Sequence, residues 1–144
     1  MNATNPALAA LTTRIDLIEE AYEYMLAYAA QGFEKDTDSH GPSIRDCLSR
    51  FERALGELEQ PARALLGSSN AGFAEVLTRD ASATIAAFKL VLSCRTISSQ
   101  LIDNLNGSVH LRALLTDLFV IDEYLKITYG IVAEPIGENP PVPC

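Results

Sequence analysis

Leu8, Leu11, Ile15, Ile18, Tyr22, Met25 and Ala29 succeed one another at alternating steps of three and four residues. Such steps keep apolar side chains on one stripe of an α-helix. That stripe has to be buried against other helices, at the shallow crossing angles of coiled coils and antiparallel bundles. Asn5 before Pro6 reads as an N-cap followed by the first helical residue, and Gly32 supplies a left-handed exit. A first helix is therefore predicted over about 6–31. Asp16, Glu20 and Glu23 lie away from the seam and make its outer face acidic, while Tyr24 and Tyr28 widen the apolar stripe.

The polar run from Glu34 to Pro42 reads as a loop, after which Ser43, with Asp46 three residues on, offers a variant capping box. Ile44, Leu48, Phe51, Leu55, Leu58, Ala62 and Leu65 repeat the seam, so a second helix is predicted over about 43–66. Pro61 lies inside it and predicts a kink or break there. Arg45, Arg50, Arg53 and Arg63 cluster on this helix, complementary in charge to the first. A third helix is predicted over about 71–105, with an irregularity near Thr78 to Asp80 or near Thr96 to Ser99. Between Ala81 and Leu92 only Ser82, Thr84 and Lys89 are polar, which predicts the most enclosed segment of the domain.

Leu111, Leu114, Leu118, Ile121 and Leu125 carry the seam of a fourth helix over about 108–129, between Ser108 and Gly130. Residues 131–144 contain Pro135, Pro140, Pro141 and Pro143 and read as a loosely ordered Pro-rich tail. The expected fold is thus all-α: an antiparallel four-helix bundle of the up-down type over residues 1–130, with a kink or break near Pro61 and a Pro-rich C-terminal tail.

Composition changes this picture in two places. Hydrophobic residues make up 48% of the 144, and the mean hydropathy is +0.10, high for a small domain in water. Either the core is unusually full or part of the apolar surface belongs to an interface. A net charge of −8 argues against nucleic acid and against an anionic membrane surface as partners. No secretory signal is read at the start of the chain, and the longest apolar run, Ala83 to Cys94, is too short to span a bilayer. Three unpaired cysteines, Cys47, Cys94 and Cys144, suit a reducing, cytoplasmic setting. Cys47 and Cys94 read as buried small hydrophobes, and only Cys144 is placed to react.

The chemistry-bearing residues are sparse. A di-metal carboxylate bundle needs Glu-x-x-His pairs, and neither His40 nor His110 has a glutamate three residues before it. Glu19, Glu20 and Glu23, with Asp117, Asp122 and Glu123, read as solvated helix faces rather than as a carboxylate cluster. The spacing of Glu19, Glu20 and Glu23 resembles the first metal-binding motif of the all-helical nucleotide pyrophosphohydrolases. The second Glu-x-x-Asp which that family needs on the following helix is missing, so its activity does not carry over. His110, in Val109-His110-Leu111-Arg112, lacks the lysine and glycine neighbourhood of histidine phosphotransfer domains. No serine, cysteine or histidine set suggests nucleophilic catalysis, and no catalytic residue, metal site or cofactor is assigned.

The expectation is a non-catalytic helical interaction protein, an adaptor, assembly factor or regulatory subunit, self-associating as a homodimer through apolar helix faces. The alternative is a small molecule or metal held between the first and fourth helices by Glu19, Tyr22, Asp122 and Tyr124, where the phenols combine an apolar body with a hydrogen-bonding tip. A second alternative is an enzyme whose site is completed at a dimer interface. The Pro140-Pro141-Val142-Pro143 run is a candidate docking peptide.

Overall fold

A computed structural model describes residues 5–130, which are helical throughout apart from their connections. Six α-helices follow in order: α1 (Pro6–Ala29), α2 (Ile44–Leu55), α3 (Glu59–Leu66), α4 (Ala71–Leu92), α5 (Ser99–Asn106) and α6 (Val109–Tyr129). Single 3-10 turns stand at Asp36–Asp38 and Ser68–Asn70. The predicted Pro-rich tail, 131–144 with Cys144, lies outside the described residues.

The side-chain caps fall where the sequence places them. Asn5 Oδ1 accepts from the Leu8 amide at 3.1 Å, and Ser43 and Ser108 serve α2 and α6 in the same way, while Ser98 caps α5, a helix start the sequence does not predict. Gly130, at φ 66, ends α6 in the left-handed region.

Along α1 the buried residues are Leu8, Leu11, Ile15, Ile18, Ala21, Met25 and Tyr28. Over its second half the stripe has therefore moved from the predicted Tyr22 and Ala29, both half-buried, onto Ala21 and Tyr28. The cause is α2, which lies against that flank: the Cys47 thiol donates to the Ala21 carbonyl and the Tyr24 hydroxyl donates to the Pro42 carbonyl.

The predicted helix over 43–66 is two helices, and its break falls at Gly56–Leu58 rather than at Pro61. Pro61 is the third residue of α3, where a backbone N–H would have no partner inside the helix, so the ring costs nothing there. All seven residues of the seam, from Ile44 to Leu65, are buried on both sides of the break.

The predicted helix over 71–105 is likewise two, α4 and α5, parted by residues 93–98. The interruption includes Thr96 to Ser98, one of the two places predicted, and α4 runs unbroken through Thr78 to Asp80. Arg45 explains where α4 stops: its guanidinium donates to the carbonyls of Leu92, Cys94 and Arg95, which no further helical turn then satisfies. Ala81 to Leu92 is not enclosed all round. Thr84 and Phe88 have no exposure, whereas Leu90 is 70% exposed, because α2 and α3 cover one side of α4, α6 a second, and nothing described covers the rest.

α1 packs against α2, α3 and α5, and α4 packs against α2, α3 and α6. The pairing is antiparallel: Arg14 meets Glu57 while Ala21 meets Cys47, and on the other side Arg45 meets Leu92 while Arg63 meets Glu75. In the core Phe51 and Phe88 meet edge-on with ring centroids 4.8 Å apart. Burial of each such side chain contributes roughly 1.5–3 kcal/mol. No helix among the described residues is long and apolar enough to cross a membrane.

Candidate functional site

Of the four residues singled out between the first and fourth predicted helices, Glu19 and Tyr22 lie on α1 and Asp122 and Tyr124 on α6. Glu19 and Asp122 come within electrostatic range. Partial burial pushes the Glu19 carboxyl up, and Asp16, Asp122 and Glu23 add to the shift against an opposing Lys126. Lys126 is itself paired with Asp122 at 3.3 Å. Tyr22 and Tyr124 are half-buried and pack against the core. Among the described residues no group of three or more acidic, histidine or cysteine side chains is arranged to hold a metal ion.

An open groove of about 640 Å³ runs along α1 and α2 between Glu20, Tyr24, Asp46, Arg50 and Arg53, with Cys47 at its base. Burial pushes the Cys47 thiol up to about 11, so it is protonated at neutral pH and is no nucleophile. Cys94, expected to be buried, is half-exposed at the end of α4. His40 and His110 are both exposed.

One end of the molecule is a polar clasp. Asp36 takes Arg45 Nε on one carboxylate oxygen at 2.9 Å and the Ile97 amide on the other at 2.9 Å. The Tyr28 hydroxyl donates to the Ile97 carbonyl at 2.6 Å, and Ser99 Oγ donates to the Tyr28 carbonyl and accepts from the Phe33 amide. These bonds tie the loop after α1 to the loop after α4. Burial pushes the Tyr28 phenol up to about 12, and the arrangement binds chain to chain with every member engaged.

Two features escaped the reading of the sequence. Asp117, taken there for part of a solvated face, is only 7% exposed and turns toward α4, where its carboxyl meets that of Asp80. Burial, and then Asp80, raise it to about 7. A buried acid on a helix that also carries Asp122 and Glu123 leaves no trace in composition. The second is the outer face of α6. Val109, Phe119, Val120 and Ile127 are 70%, 57%, 53% and 76% exposed, and Leu90 of α4 is exposed as well. This face does have a signal: Val109, Ala113, Thr116, Val120, Glu123 and Ile127 step four, three, four, three, four, a second seam masked by the inner one.

No protein-family model, curated protein or solved structure matches the chain.

Proposed function

We propose that the helices form an antiparallel up-down bundle of four rods, with α2 and α3 in line as one of them. In this reading the protein works by contact in the cytoplasm, as a non-catalytic adaptor, assembly factor or regulatory subunit that self-associates through the outer face of α6. One observation carries it: a helix already buried along one seam carries a second with Val109, Thr116, Val120, Glu123 and Ile127 exposed and Ala113 half-buried. A surface helix has no need of such a stripe unless something covers it.

The spacing of the stripe reads alike from both ends about Leu118, with Ala113 mirrored by Glu123. Two copies meeting antiparallel across a two-fold axis would set Val109 against Ile127 of the second copy and Thr116 against its Val120. Arg112 would come beside the oppositely charged Glu123 of that copy. A self-complementary patch is what a two-fold interface requires. Light scattering behind size exclusion tests the reading: a dimer at micromolar concentration is expected, and a strict monomer would end it. Arg112→Glu is expected to weaken the dimer, and adding Glu123→Arg to restore it.

The second reading, a ligand between α1 and α6, is favoured by the Glu19 carboxyl, which partial burial raises first and Asp16 and then Asp122 raise further. Native mass spectrometry of freshly purified protein tests it, a stoichiometric bound mass being the result that would put it ahead.

A further inference from the structure

Asp117 is nine-tenths buried on α6, and its Oδ2 has no protein donor within hydrogen-bond distance. The group it does meet is the carboxyl of Asp80, half-buried on the facing helix α4. Two carboxylates cannot share a hydrogen bond without a proton on one of them, and two negative charges in contact in a partly buried site repel strongly. The proton is therefore a structural part of the pair. Beside it Thr84, with no exposure, shares its hydroxyl hydrogen between the backbone carbonyls of Asp80 and His110, at 2.8 and 3.1 Å, which ties α4 to the first turn of α6.

We propose that Asp80 and Asp117 form a one-proton clasp between α4 and α6, closed while one proton is shared and loosened when that proton leaves. It is independent of the self-association reading and holds whether or not a second copy binds.

The surroundings supply no alternative neutraliser. Burial and Asp80 account for the displacement of Asp117, and no cation takes part. Asp80 is the titratable group that faces it from α4. Of the nearby cations on the same two helices, Lys89 is paired with Glu52 and Lys126 with Asp122, while Arg79, His110 and Arg112 have no part in the displacement of Asp117. No charged group of α1, α2, α3 or α5 acts on it either.

The sign follows from linkage. A carboxyl whose folded value is raised from 3.8 to about 7 holds its proton in the folded protein over a range where the unfolded chain has lost it. Its contribution to stability is complete below about pH 4, declines as pH rises, and is gone above about pH 7. One proton corresponds to at most about a tenfold change in the unfolding constant per pH unit.

Asp117→Asn separates the proton from the hydrogen bond, since an amide donates to the Asp80 carboxylate at every pH. Urea unfolding between pH 5 and 8 should show the wild-type unfolding constant rising with pH relative to that of the variant, by up to about tenfold per unit, until the curves run parallel above pH 7. Parallel curves over the whole range would overturn the proposal. If the variant fails to fold, the ¹³C shift of the Asp117 side-chain carboxyl in the intact protein decides instead. A midpoint near neutrality is expected, and one near 4 would overturn the proposal. Amide exchange over 77–84 and 110–121 is expected to accelerate above pH 7 beyond its intrinsic rise.

Discussion

At the scale of single residues, the molecule rests on two carboxyls with opposite habits. Asp36 is held below the usual carboxylate range by the hydrogen bond from Arg45 and then by the Ile97 amide. Its contribution is present above about pH 4 and lost as pH falls through the lowered value. Asp117 runs the other way, contributing in acid and losing its effect toward neutrality. Arg45→Ala should cost about 2 kcal/mol in urea unfolding at pH 7, since it strips Asp36 of its cationic partner and leaves the carbonyls of Leu92, Cys94 and Arg95 without the guanidinium donor. That loss should shrink below pH 4, once Asp36 is protonated in both proteins. Tyr28→Phe should cost about 1 kcal/mol, from the bond to the buried Ile97 carbonyl. None of this was legible in the sequence. Arg45 stood there as one arginine of four, and Asp36 as a polar residue in a loop, because their bonds to Leu92 and Ile97 reach across 47 and 61 residues and have no local signature.

At the scale of elements the sequence was far more informative, and its errors have one cause. The seams of α2, α3 and α6 contain the buried residues named in advance, and the serine and asparagine caps stand where they were placed. The differences lie in where continuity fails: the kink or break expected near Pro61 falls at Gly56–Leu58, and the irregularity expected in the third helix is a full interruption over 93–98. Apolar spacing measures which face is buried, and a break that keeps both halves facing the same core does not disturb it. Pro61 drew attention because proline breaks helices from within, yet it sits in the first turn of α3. Pro61→Ala should accordingly change stability by no more than about 0.5 kcal/mol. Gly67 is the contrast. At φ 75 and ψ 177 it joins α3 to the turn before α4 in a conformation open to glycine, and Gly67→Ala should cost about 1–3 kcal/mol although no atom lies near the added methyl. Thermal or urea unfolding of the two variants side by side checks both expectations.

At the scale of the whole molecule, the apolar excess of the composition divides between a filled core and an uncovered face. Aromatic and aliphatic side chains with almost no exposure occupy the interior, while Val109, Val120 and Ile127 remain mostly exposed on α6. If that face is covered by a second copy, folding and association are linked, and dilution should lower the unfolding midpoint in the manner of any ligand that binds only the folded state. Val120→Glu with Ile127→Glu places charges against Thr116 and Val109 of the second copy and removes apolar area that is mostly exposed in the monomer. The double variant should associate at least about tenfold more weakly, a loss of about 1.4 kcal/mol or more. Its midpoint should become independent of concentration and meet that of the dilute wild type. A variant that unfolds earlier than the dilute wild type would mean that these residues support the monomer. A wild type whose midpoint ignores concentration between about 1 and 100 μM, a span worth about 2.7 kcal/mol in mass action, would leave the face without a second copy to cover it.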